Sequence, residues 1–213
     1  MTLPPPLPAR AFGRLPRRRV GLLGGSFNPA HAGHRHISEL ALKLLGLDEI
    51  WWLVSPQNPL KPRTGMAPLA ARLATADRHS RHPRLRAGAL EAALGTSYTA
   101  DTLAALRRRL PRTRFVWIMG ADNLAQIARW ENWPTIFRTM PVAVFARPTY
   151  SLRALASKAA RRFAKARRTG CGGLRLVGLK PPAWMFFHAR PHGASATAIR
   201  VARRRRQLQR KRH

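Results

Sequence analysis

Residues 20–34, VGLLGGSFNPAHAGH, decide how the rest of the chain is read. Val20 to Leu23 form a short apolar run that ends in Gly24 and Gly25. Beyond His34, Ile37, Leu40, Ala41, Leu44 and Leu45 recur at helical spacing. A strand therefore passes through a glycine turn into a helix, and the pattern repeats downstream. Ile50 to Val54 is a dense Trp/Leu/Val run without alternation, as expected for a strand buried on both faces. Further strands are expected near Leu85–Leu90, Phe115–Met119, Val142–Ala146 and Trp184–Phe187. Helices are expected over Pro68–His79, Ala100–Leu110, Asn123–Trp130, Leu152–Ala166 and Thr197–Gln209. This order predicts an α/β fold, a doubly wound Rossmann-like parallel sheet with helices on both faces.

Composition narrows the field. The chain has 213 residues, 45% of them hydrophobic, with 40 Lys+Arg against 8 Asp+Glu and a formal charge of +32. That is enough apolar material for one large domain. No apolar run is long enough to span a bilayer, and the single Cys171 cannot form an internal disulfide, which points to a reducing, cytoplasmic setting. A membrane channel, a disulfide-stapled secreted domain and a disordered tail protein are poor fits. Residues 1–19, rich in Pro and Arg without apolar period, read as a disordered basic leader. The folded domain is expected over 20–202, and 203–213 form a basic helix end or tail. The leader, residues 151–168 and residues 203–213 hold 19 of the 32 net charges and no acid. Such runs suit non-specific contact with nucleic acid, or reflect a bland compositional bias. Arg35, Arg72 and Arg107 to Arg109 read as solvated helix faces.

In an open parallel sheet, ligands sit beyond the carboxyl ends of the strands, where the strand order reverses. Gly24 and Gly25 fall there, and a turn without Cβ atoms lets backbone N–H groups approach a phosphate. His31 and His34, three residues apart at a helix start, offer two imidazoles to phosphate oxygens near the positive helix end. A plain turn and two surface histidines are the bland alternative.

The eleven residues from Gly24 to His34 resemble the GxFxPxHxGH signature of the nucleotidyltransferase superfamily, with Gly25, Phe27, Pro29, His31, Gly33 and His34 in place. Far downstream, Ser195-Ala-Thr-Ala-Ile-Arg200 is similar to that family's Ser-x-Thr-x-Ile-Arg motif, although Ala194 stands where the family has Ile. Between them, Ser55 to Lys61, Ser97 to Thr102, Gly120 to Asn123 and Trp130 resemble one branch, the bacterial nicotinate-nucleotide adenylyltransferases, over about residues 20–202. The resemblance implies transfer of AMP from ATP to nicotinate mononucleotide, with Mg²⁺ carried on the ATP phosphates because no carboxylate cluster offers a protein cage.

The same resemblance implies roles for single residues. ATP would meet Gly24, Gly25, Ser26, Phe27, His31, His34, Gly120, Asp122, Ser195, Thr197 and Arg200, with His31, His34 and Arg200 stabilising the reacting phosphates. The mononucleotide would meet Asn58 and Lys61 at its phosphate, Tyr98 and Thr99 at its carboxylate, and Trp130 at its ring. Trp130 as a core aromatic and Lys61 as a solvated charge remain the alternatives. Other readings are a transferase of the same superfamily with a different phosphate acceptor, and a nucleic-acid-binding protein on this fold.

Overall fold

A computed structural model describes residues 18–56, 64–147, 150–170, 172–188, 193–194 and 196–210, without side chains for 203–208 and 210. Most of the basic leader, Asn58, Lys61, Cys171 and Ser195 lie outside the described residues.

Six parallel strands form one sheet: β1 (Arg19–Gly25), β2 (Glu49–Val54), β3 (Leu85–Gly88), β4 (Arg114–Gly120), β5 (Val142–Phe145) and β6 (Trp184–Phe187). Their order is β3-β2-β1-β4-β5-β6, so the chain reverses direction across the sheet between β1 and β4. Successive side chains of a strand point to opposite faces, and here both faces are covered. Trp51 enters one core with Val20, Leu22 and Trp117, while its neighbour Trp52 enters the other with Leu23, Val116 and Ile118. Burial on both sides is why these strands read as unbroken apolar runs.

Helix α1 (Ala32–Leu45) and α2 (Leu69–His79) cover one face. The other carries α3 (Leu90–Leu94), α4 (Thr99–Arg109), α5 (Ala121–Gln126), α6 (Trp133–Thr139), α7 (Ser151–Leu155) and α8 (Lys158–Arg162). The last helix, α9 (Ala196–Arg210), follows β6. No helix among the described residues is long and apolar enough to cross a membrane.

Four local expectations are corrected. The third strand stops at Gly88, and Leu90 opens α3 rather than ending the strand. The helix expected over Leu152–Ala166 is broken: Ser157 leaves helical geometry and its side chain caps α8 by accepting from the Ala160 N–H at 3.3 Å. The helix expected to reach Trp130 ends as α5 at Gln126, a 3₁₀ turn covers Ile127–Arg129, and Trp130 is extended (φ −81°, ψ 143°). Arg72 is not on a solvated face. It is 2% exposed, and its guanidinium donates to the carbonyls of Ala67, Ser26, Ser55 and Pro56 at 2.6–2.9 Å. One buried cation thus ties the loops after β1 and β2 to α2, and so fixes the rim of the sheet where a ligand would lie.

Candidate active site

The site is built at the carboxyl ends of β1 and β4. His31 is the N-cap of α1: its Nδ1 accepts from the Gly33 N–H at 3.1 Å, while His34 Nδ1 accepts from the His31 N–H at 3.2 Å. Two imidazoles replace the Ser/Thr and Glu of an ordinary capping box. With Nδ1 accepting, each ring carries its proton on Nε2, and the rings lie 3.9 Å apart. Burial, reinforced by the neighbouring His31 and Arg147, holds the His34 pKa well below its ordinary value of 6.5. His34 is therefore a neutral Nε2–H donor at physiological pH. Of the pair, His31 is buried and serves the helix start, while His34 retains open surface.

Phe27 supports this arrangement from below. Its ring stacks on Trp52 (5.2 Å, 14° between planes) and contacts His34 (4.7 Å). At 2% exposure and φ +44° it holds strained backbone geometry and offers a nucleotide no ring face. Ser38 donates to the His34 carbonyl at 2.9 Å and accepts from the Trp52 indole at 2.8 Å, fixing the first turn of α1 to β2.

Two arginines join the histidines. Arg200, in the second turn of α9, donates to the Asn28 carbonyl at 2.7 Å and to the Thr197 hydroxyl at 3.1 Å. Thr197 thus lies within the helix and orients Arg200, and the distant sixth motif residue meets the first loop. Arg147, just beyond β5, ion-pairs with Asp122 at 3.4 Å. Asp122 stands in the first turn of α5 directly after Gly120, where an added Cβ would meet its Oδ1.

On the opposite face of the sheet, a cavity of about 180 Å³ opens beside Gly24 and Gly25. Tyr98, Thr99 and Trp130 line it as expected; Ser55, Glu91, Ser97, Trp117, Arg129 and Glu131 line it as well. Tyr98 is the extended N-cap residue of α4 and makes no side-chain cap bond, so the first N–H groups of α4 lack a side-chain acceptor there. Gly24 also has a packing reason, beside the one its motif suggests. A Cβ at this position would run into the indole of Trp117, whose ring forms the cavity wall. Burial pushes the Glu91 carboxyl up to about 7, against a hydrogen bond from Ser55.

Sequence reasoning gave no role to Glu91, Trp117 or Arg147. For Arg147 the signal was its place directly after a strand's carboxyl end. Among the described residues, no group of three or more His, Cys, Asp or Glu could hold a metal ion.

Residues 22–202 match the cytidylyltransferase-like family. A probable nicotinate-nucleotide adenylyltransferase of Cereibacter sphaeroides is 58% identical over 185 residues, covering 87% of this chain and 98% of the relative. One of the same name from Parvibaculum lavamentivorans is 50% identical over 185 residues, covering 87% and 92%. Among solved structures, the fold is similar to Plasmodium falciparum nicotinic acid mononucleotide adenylyltransferase complexed with NaAD. The TM-score there is 0.63 at 15% identity, over 87% of this chain and 83% of that one.

Proposed function

Because this chain belongs to the cytidylyltransferase-like family, and within it to the nicotinate-nucleotide adenylyltransferases, we propose that it transfers AMP from ATP to nicotinate mononucleotide, giving deamido-NAD and pyrophosphate. The observation that carries this reading is the meeting of two half-sites at the end of β1. A neutral histidine with two arginines lies on one side of Gly24–Gly25, and a ring-sized cavity walled by Trp130, Tyr98 and Thr99 lies on the other. A phosphate donor and an aromatic acceptor would approach each other over the glycines.

In this reaction a phosphate oxygen of the mononucleotide attacks the α-phosphorus of ATP. A new P–O bond forms, the bond to the bridging α–β oxygen breaks, and pyrophosphate leaves with that electron pair. No protein nucleophile is needed, so acceleration comes from positioning and from donors aimed at developing charge. His34 Nε2–H would donate to the α-phosphate, and Arg200, Arg147 and Ser195 would hold the departing phosphates. His31 acts through His34 by capping the helix. Backbone N–H groups of Gly24, Gly25 and Ser26 would line the phosphates, and Gly120 and Asp122 the adenosine.

The pyridine would stack on Trp130, its carboxylate received by Thr99 and the free N–H groups at the start of α4. Asn58 and Lys61 would contact the mononucleotide phosphate. Mg²⁺, in this reading, would be held by the phosphate oxygens of ATP and would supply charge neutralisation there. The lone Cys171 supports a cytoplasmic setting.

The test is pyrophosphate release from ATP with nicotinate mononucleotide, against phosphopantetheine and glycerol phosphate as competing acceptors. Turnover with the mononucleotide is expected; turnover with another acceptor alone would overturn the assignment.

A further inference from the structure

We propose that the carboxyl of Glu91 and the indole N–H of Trp117 form the floor of the pyridine subsite and set its preference between the acid and the amide mononucleotide. The inference deepens the function proposed above and rests on it. Glu91 is 5% exposed and its Oε2 has no hydrogen-bond partner; Trp117 is 1% exposed and its Nε1 has none either. Buried polar atoms are bonded in nearly all cases, yet these two line one small cavity together with Trp130 and Tyr98. Cavities of roughly 150 Å³ hold benzene, so about 180 Å³ accommodates a six-membered ring with one substituent, leaving ribose and phosphate outside. The two residues that carry the unpartnered atoms therefore face the ring and its substituent.

The donor count decides which substituent fits. Trp Nε1–H only donates, and a protonated carboxyl has one O–H to give. Two donors match a carboxylate, which only accepts. A carboxamide would set its NH₂ against a donor. Once ionised, Glu91 repels the acid substrate and accepts from the amide.

Glu91 changes state in the working range, because burial raises its carboxyl to about 7 while the Ser55 hydroxyl pulls the other way. The titratable or charged groups sharing its cavity are Tyr98, Arg129 and Glu131. On the neighbouring strands, Glu49 sits at the far end of β2, paired with Arg18 and with Arg86 of β3, and Arg114 starts β4. On α4 the ionisable residues are Asp101 and Arg107 to Arg109, all exposed.

The experiment measures kcat/KM for the acid and the amide mononucleotide by pyrophosphate release between pH 6.5 and 8.5, in wild type, E91Q and W117F. In wild type the acid-to-amide ratio is expected to fall about tenfold or more across that range, following deprotonation of one group near pH 7. In E91Q the ratio stays level with pH. W117F loses several-fold in acid kcat/KM but keeps the wild-type slope. Parallel wild-type and E91Q profiles overturn the proposal.

Should E91Q fail to fold, calorimetric titration of wild type at pH 8 in buffers of different ionisation enthalpy replaces it. Binding of the acid should take up a fraction of a proton that binding of the amide does not, while equal uptake overturns the inference. The two ligands share their phosphate, so its protonation cancels. If neither mononucleotide supports turnover or binds, the adenylyltransferase reading itself fails and this inference falls with it.

Discussion

Replacing Glu91 by Gln should stabilise the ligand-free protein at alkaline pH and leave it nearly unchanged in acid. The folded protein holds the Glu91 proton up to about pH 7, whereas the unfolded chain releases it near the ordinary value of 4.5. Between these two values the unfolded state binds fewer protons, so stability falls as pH rises, and above 7 the full penalty is present. A difference of about 2.5 pH units at about 1.36 kcal/mol each gives a cost of about 3 kcal/mol, appropriate for a carboxyl that is 5% exposed. Gln keeps the shape and cannot ionise. Urea unfolding of both proteins at pH 5 and pH 8 reads the effect, and subtracting wild type from variant at each pH cancels every other titrating group. About 0.8 kcal/mol of that cost is already present at pH 5, so the gain of E91Q over wild type should be about 2.5 kcal/mol larger at pH 8 than at pH 5, a midpoint difference of roughly 1 M urea. An equal difference at the two pH values would refute both the buried-carboxyl reasoning and its sign.

Other consequences follow from the same geometry. Replacing His34 by Ala should lower turnover about 10²-fold at saturating substrates, the scale of one lost transition-state donor; near-normal kcat would remove His34 from the reaction. Because the His34 pKa is depressed, wild-type kcat should not drop near pH 6.5, and protonation should inhibit only in more acidic solution, as a pH profile of kcat will show. Replacing Trp130 by Ala should weaken mononucleotide binding by about 1–3 kcal/mol and leave the KM for ATP in place, which titration with each substrate separates. Replacing Arg72 by Met removes the donor to four carbonyls and should cost at least about 3 kcal/mol in urea unfolding.

How far these features can be read in the chain depends on whether one segment or several create them. The sheet is legible because Ile50 to Val54 and Phe115 to Met119 are apolar at every position, a pattern that only a doubly covered strand requires. The histidine cap is legible because His31, Gly33 and His34 are local. Glu91 and Trp117 are not: one looks like a helix-surface acid and the other like a core aromatic, and only the meeting of α3 with the ends of β1 and β4 turns them into a cavity floor. Arg72 is misread by the general rule that helix charges face water. A closer look at spacing would have caught it, since Leu69 and Ala76 lie three before and four after it, on the buried side of α2. Trp130 escapes its expected helix because the chain passes through a 3₁₀ turn that no strong local signal announces.

The orphaned polar atoms bring these threads together. Among the described residues four buried side-chain atoms lack a hydrogen-bond partner: Glu91 Oε2, Trp117 Nε1, Arg167 Nε and Asp122 Oδ1, the last still ion-paired with Arg147 at 3.4 Å. Each atom without any such partner costs about 1–3 kcal/mol, a large share of the 5–15 kcal/mol that a domain has. Three of the four lie at the carboxyl edge of the sheet, on the elements that end beside Gly24–Gly25 or Gly120. A core selected for stability alone would fill these positions with apolar side chains. Their concentration where a donor nucleotide and an aromatic acceptor would meet indicates that stability is given up there for interactions completed only by substrate. On this view, binding of the mononucleotide raises the unfolding midpoint of wild type more than that of E91M at pH 6.5, because Met offers the substrate carboxylate no donor. Thermal melts with and without the mononucleotide test this, and an equal rise in both proteins would show that the orphaned carboxyl is a packing accident.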